Sequence, residues 1–287
     1  PLPVVLKADG LALGKGVLIC PTEAEAEEGL KEIMLDRKFG AAGNKVVVEE
    51  FLEGPEVSVL AFTDGKTIVP MVTSCDHKRA FDGDKGLNTG GMGTFSPAPF
   101  YGEKCADEVM KKIMLPTMAA MNAEGRTFKG VLYFGLMKTK DGMKVIEYNS
   151  RFGDPETQVV LPMLKTDILD IFEAVTDERL ADIKIEWEEG ACVCVVLASG
   201  GYPVKYEKGK VIEIGALDPD VFLYHAGTAV KDGKLVTAGG RVLGVSAKGA
   251  TVEEARKKAY ENVKKISFDG MHYRTDIGIK YRDIPRE

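Results

Sequence analysis

Apolar residues fall into two periods along this chain, and the alternation between them predicts its elements. Leu2 to Lys7 and Gly16 to Cys20 read as two short strands, joined by the glycine-rich turn Ala8 to Lys15. Thr22-Glu23-Ala24-Glu25 is a capping box, and Ala26, Leu30, Ile33 and Met34 continue a helical stripe to about Leu35. Lys45 to Leu52, Glu56 to Phe62 and Thr67 to Thr73 are predicted strands, the last two joined by the hairpin signal Thr63-Asp64-Gly65-Lys66. An antiparallel meander is therefore expected.

From Cys75 to Pro99 periodicity disappears and glycine accumulates, which predicts a long functional loop. Cys105, Val109, Ile113, Met114 and Met118 then fall at helical spacing, so a helix is expected over 102–123 with a kink at Pro116. Lys129 to Lys138 and Lys144 to Tyr148 form a hairpin about Asp141-Gly142, followed by helices over 157–164 and 167–175. Beyond a boundary near residue 187 the pattern is mostly strands: 191–197, 211–214, 221–225 and 241–246. A last helix starts at the capping box Thr251-Val252-Glu253-Glu254 and turns Ala255, Ala259 and Val263 inward.

Composition narrows the function classes. The 287 residues suffice for two or three cores, and 45% hydrophobic with 29% charged residues excludes wholesale disorder. A net charge of -6 without a Lys/Arg block argues against nucleic acid as the main partner. No apolar run is long enough to span a bilayer, so a cytoplasmic protein without membrane attachment is expected. Five cysteines without C-x-x-C spacing read as reduced, mostly buried thiols, with Cys192 and Cys194 as core filler. The chain opens on Pro1 almost directly on a strand, which suggests an amino-terminal portion beyond it.

Four segments could carry chemistry. Glu147 and Asn149 lie two apart on a strand and share a face, a hard-oxygen pair suited to Mg2+, which needs only one or two protein ligands beside phosphate oxygens. Alone, the pair is better read as the polar face of an exposed strand. Arg151, ahead of Phe152-Gly153-Asp154-Pro155-Glu156, changes that balance, because an Arg fork beside a metal pair can hold a migrating phosphoryl group.

Lys7 and Lys15 with Gly10, Gly14 and Gly16 could place backbone N–H groups and point charge around phosphates, though the spacing is neither a Walker loop nor a dinucleotide fingerprint. Glu49, Glu50, Phe51, Leu52 and Glu56 offer acceptors for an adenine amino group and ribose hydroxyls, or are simply solvated. Asp76-His77-Lys78-Arg79, followed by Asn88-Thr89-Gly90-Gly91-Met92-Gly93, offers hydrogen-bonding groups and backbone that a polar substrate can approach. With three histidines in all, His77 belongs to no metal cluster.

The order of these segments, with Glu147-Tyr148-Asn149-Ser150-Arg151-Phe152-Gly153-Asp154-Pro155-Glu156-Thr157-Gln158 last, resembles the glycinamide ribonucleotide synthetase family of the ATP-grasp superfamily. The resemblance extends through Gly239-Gly240-Arg241-Val242 and Arg274-Thr275-Asp276-Ile277-Gly278. It implies an α+β ATP-grasp fold, with a lid at 1–48, a central domain at 49–186 and a β-rich domain at 187–287. It further implies ATP-dependent joining of glycine to 5-phosphoribosylamine through a glycyl phosphate, with Mg2+ or Mn2+. Lys7, Gly10, Gly14, Lys15 and Gly16 would hold phosphates, Glu49 to Leu52 adenine, and Glu56 ribose. Glu147 and Asn149 would carry the metal, Arg151 would neutralise the phosphoryl group, and Asp76 with Asn88, Thr89, Gly90, Gly91 and Gly153 would face the other substrates.

Two departures stand out. Val131 to Met137 lacks the further metal carboxylate of many ATP-grasp enzymes, so Glu147 bridges two ions or fewer protein contacts are used. The family's Rossmann-like amino-terminal domain is absent from the sequence, so this chain alone is expected to bind nucleotide without completing the ligation. The alternatives are another ATP-grasp carboxylate–amine ligase and a non-catalytic nucleotide-binding module.

Overall fold

A computed structural model describes residues 2–12 and 16–286. Gly14 and Lys15 lie outside the described residues. The chain divides into two compact units, 1–54 and 55–287.

In the first unit Val4–Ala8 is the middle strand of an antiparallel sheet, between Val17–Cys20 and Val46–Glu50. The helix Glu23–Leu30 covers one face, and Leu6, Cys20 and Ile33 form the small core. Its capping box forms as the sequence predicts: the Thr22 N–H donates to Glu25 at 3.0 Å, while Thr22 Oγ1 accepts from the Glu25 N–H at 3.3 Å. On the opposite face Lys7 pairs across to Val17 and Val47, and Val5 to Ile19 and Glu49. Val17, Ile19 and Val47 are exposed there, giving an apolar surface that carries Lys7 and Glu49.

The second unit contains two larger sheets. One runs in the order Gly142–Asn149, Gly130–Thr139, Glu56–Thr63, Ile68–Pro70, all antiparallel. The other centres on Ala191–Ser199, whose nine residues are all buried, flanked by Arg241–Gly249 and Gly93–Ser96. Burial on both faces explains the near-continuous apolar run. Val193, Val195 and Leu197 join the core that also holds Val57, Val59 and Phe134 of the first sheet; Cys192 and Cys194 face a second cluster with Leu60, Tyr133 and Val160. All five cysteines are buried and unpaired, as expected.

One expectation needs correction. The stretch 75–99 is not a structureless loop: Cys75–Asp76 and Gly93–Ser96 join the sheet around Ala191–Ser199, and Arg79–Phe81 pairs with Lys85–Asn88. Strands of two to four residues leave too little period to read, and Gly93–Ser96 pairs with a strand about a hundred positions away. Gly93–Ser96 pairs with Ala191–Ser199, and both lie in the second compact unit, which begins after Gly54. At Pro116 the helical run from Glu103 to Ala123 continues through a wide turn, Met110–Met114, in which the Leu115 N–H reaches back to the Met110 carbonyl. Pro116 lies just past that turn, where its missing N–H interrupts the regular helical bonding.

Candidate functional site

Strand period and register together build the polar face of the first sheet. Ser58 stands opposite Gly135, Gly135 opposite Glu147, and Tyr133 opposite Asn149, so these side chains share one face while Val57, Val59 and Phe134 enter the core from the other. Gly135 is the residue of Val131 to Met137 that faces Glu147. A Cβ there would stand 2.9 Å from Glu147 Cγ, so the position is open for the Glu147 side chain to lie across it. Glu147 is exposed and Asn149 half-buried. Among the described residues no three His, Cys, Asp or Glu side chains form a metal cage. A carboxylate and an amide oxygen reachable from solvent fit Mg2+ that completes its shell with phosphate oxygens, and fit a protein-only site poorly.

Beside this pair lies a cluster that the sequence did not resolve. Glu156 is buried, and Tyr133 Oη donates to its Oε1 at 3.2 Å while bonding the Ser58 hydroxyl at 2.7 Å. Burial raises the Glu156 pKa. Lys78 Nζ meets Glu56 Oε2 at 2.5 Å. Burial would lower the lysine's pKa, but Asp76, Glu56 and Glu147 outweigh it and the pKa stands above its usual value. Asp76 is pushed up to about 7 by burial, with Glu156 and Glu56 adding to the rise and Lys78 opposing it. Acidic groups thus outnumber the lysine among them, which suits a site completed by a cation.

His77 points the other way. It is fully buried against Phe95 with neither ring nitrogen hydrogen-bonded, and burial, followed by Arg274 and Lys280, pushes its pKa down to about 3. It is a neutral core residue.

The loop predicted to face substrate is held by its own polar groups. Thr89 Oγ1 donates to the Lys78 carbonyl at 2.8 Å and accepts from the Gly91 N–H at 2.9 Å. The Gly90 N–H donates to Tyr202 Oη at 3.0 Å, and the Gly90 carbonyl accepts from Arg241 at 2.7 Å. Gly91 has φ +112, and a Cβ there would stand 2.5 Å from Pro155, so glycine is required twice over. Arg241 also grips Asp154 Oδ2 at 2.9 Å and thereby joins this loop to the 153–156 turn. Gly153 leaves room for Glu156, whose Oε2 would be 2.5 Å from an added Cβ. Asn88, at the loop's entrance, is exposed. Arg151 is exposed and donates to the Phe152 carbonyl at 2.9 Å.

In the other unit Lys7 Nζ pairs with Glu49 Oε2 at 2.7 Å, Glu50 ends its strand, and Phe51 and Leu52 are half-buried beyond it. Gly10 is exposed, its N–H bonded to the Ala42 carbonyl at 3.1 Å; Gly16 is buried and its carbonyl accepts from Ala8 at 2.8 Å. A cavity of about 460 Å³ between Leu115–Ala123 and Gly142–Asn149 is lined by Met118, Met121, Phe128 and Leu132 among others, and has no charged side chain to hold a phosphate.

Sequence reading passed over Ser58 and Tyr133 and the parts played by Tyr202 and Arg241. Tyr202, in Gly201-Tyr202-Pro203, and Arg241, in Gly239-Gly240-Arg241-Val242, stand in strings that carry the resemblance.

Residues 1–157 match the family model for the phosphoribosylglycinamide synthetase ATP-grasp (A) domain, and residues 192–280 the model for its C domain. A phosphoribosylamine–glycine ligase from Caldanaerobacter subterraneus subsp. tengcongensis is 51% identical over 97% of this chain and 67% of its own length. One from Halalkalibacterium halodurans is 50% identical over 97% of this chain and 65% of its own. The chain thus spans about two thirds of these relatives. The crystal structure of the Thermotoga maritima phosphoribosylamine–glycine ligase superposes with a TM-score of 0.80 at 42% identity, covering 96% of this chain and 68% of that one.

Proposed function

The chain belongs to the phosphoribosylglycinamide synthetase family, and from that premise we propose that it forms the nucleotide-binding and acyl-phosphate-forming part of an ATP-dependent ligase. The reaction joins glycine to 5-phosphoribosylamine, giving glycinamide ribonucleotide, ADP and phosphate, a step of purine biosynthesis in the cytoplasm. The observation that carries the reading is the shared face of Glu147 and Asn149 beside the acidic cluster around Lys78.

Within the first unit, Glu49 to Leu52 and the exposed valines would offer a face to a purine, and Lys7 a positive charge to phosphate. Glu147 and Asn149 would hold Mg2+, which when bound neutralises charge on the phosphates. Arg151 leaves its backbone partner to meet the phosphoryl group as it passes to the glycine carboxylate. Asp76 and Asn88 orient the amine that then attacks the acyl carbon. Asp76 can take the amine's proton as the carbon–nitrogen bond forms and phosphate departs. Such chemistry rests on positioning and charge stabilisation and needs no protein nucleophile.

The full-length enzyme is assayed for phosphate release with Mg-ATP, glycine and phosphoribosylamine. Glu147→Ala is expected to lose about a hundredfold or more in rate. Full activity in that variant refutes the metal assignment, and release that depends on a carboxylate other than glycine refutes the substrate.

A further inference from the structure

A two-stranded hairpin is marginal in water, and Arg79–Phe81 with Lys85–Asn88 pairs with no third strand among the described residues. Its tip is also unfavourable: Asp84 has φ +53, a left-handed conformation uncommon for a residue with a side chain. Yet this hairpin delivers Asn88 and the Thr89–Gly91 loop. What holds it is the segment from His272 to Lys280, nearly two hundred positions away.

Arg274 is the centre of that hold. Its side chain is 1% exposed, and its guanidinium meets Asp276 with two bonds of 2.7 Å, Asp84 at 2.9 Å and the Arg79 carbonyl at 3.1 Å. Asp276 in turn accepts from the Gly83 N–H at 2.8 Å, and Lys280 meets Asp84 at 3.1 Å. The Thr275 N–H donates to Asp82 at 2.8 Å. Every residue at the tip, from Asp82 to Asp84, is therefore held from the carboxy-terminal segment. The Arg79 carbonyl that Arg274 fixes adjoins the Lys78 carbonyl to which Thr89 is bonded, so the grip passes directly to the loop.

We propose that Arg274 is a positioning residue, which through Asp84, Asp276 and the Arg79 carbonyl holds the 79–88 hairpin where Asn88 and the following loop can meet the amino-acid or amine substrate. This rests on the reading of that loop given under Proposed function. Arg274 itself touches no reacting atom. The nucleotide, assigned to other residues, should be indifferent to it.

The test uses the full-length enzyme with Arg274→Met, Arg274→Lys and Asp84→Asn, and reads KM for each substrate beside amide hydrogen exchange over 79–91. Arg274→Met and Asp84→Asn are expected to speed exchange there by about tenfold or more and to raise KM for glycine or phosphoribosylamine similarly, with KM for ATP within about twofold of wild type. Lysine, lacking the fork, should restore only part. Unchanged exchange over 79–91, or a KM for ATP that rises in step with the others, overturns the proposal. Should Arg274→Met not fold, Asp84→Asn decides it, because that carboxylate is 40% exposed. If the wild type shows no glycine-dependent ligation, the functional reading fails, while hydrogen exchange still judges the clamp.

Discussion

Arg241 and Arg274 secure opposite ends of one stretch of chain, with very different access to water. Arg241 bonds the Gly90 carbonyl and Asp154 at the loop's far end, and its side chain is 22% exposed against a carboxylate 56% exposed. Arg274 bonds the Arg79 carbonyl, Asp84 and Asp276 at the near end and is 1% exposed. The contacts are alike in kind. Solvent decides what their loss costs, because water reaches the guanidinium of Arg241 and not that of Arg274, even though Asp84 is 40% exposed.

The largest expected effect follows from that difference. Arg274→Met leaves Asp276 and Asp84 without their common partner and should cost about 3–5 kcal/mol, lowering Tm by roughly 10 °C in calorimetry. Arg241→Ala should cost about 1–2 kcal/mol by urea unfolding, since Asp154 and the Gly90 carbonyl regain water. Equal losses would break the comparison and remove burial as its cause.

Acid offers a smaller effect of the same origin. Burial alone would raise Asp84 and Asp276, but the bonds from Arg274 dominate and hold both below the usual 3.8. The unfolded chain therefore takes up their protons first as pH falls. Their contribution is complete above about pH 4 and declines below it. Stability measured from pH 5 to pH 3 should fall less steeply in Asp84→Asn than in the wild type. An identical slope would show that the clamp does not depress this carboxylate.

Much of the fold was legible because its signals are local. The Thr22 capping box, the inward Ala255, Ala259 and Val263, and the hairpin about Asp141-Gly142 all follow from neighbours within a few positions. The strands of 75–99 were not, since each is too short to show a period and Gly93–Ser96 takes a partner about a hundred positions on. In the site, Glu147 and Asn149 could be paired from period alone. Glu156 stood within a readable motif, yet nothing local reveals that it is buried beneath Tyr133 and Ser58. Tyr202 and Arg241 reach Gly90 across 112 and 151 positions, beyond any periodic signal.

By itself the sequence determined the strand period that sets Glu147 beside Asn149, the helix starts, the reduced thiols and the motif order that marks the family. These depend on backbone geometry and residue type over a few positions. Only the tertiary structure decided that Gly135 leaves space for Glu147, that carboxylates gather about Lys78, that His77 is a neutral core residue, and that the loop is held at both ends by arginines. Each of those is a matter of burial or of contact between distant segments, and neither desolvation nor a long-range hydrogen bond leaves a period in the chain.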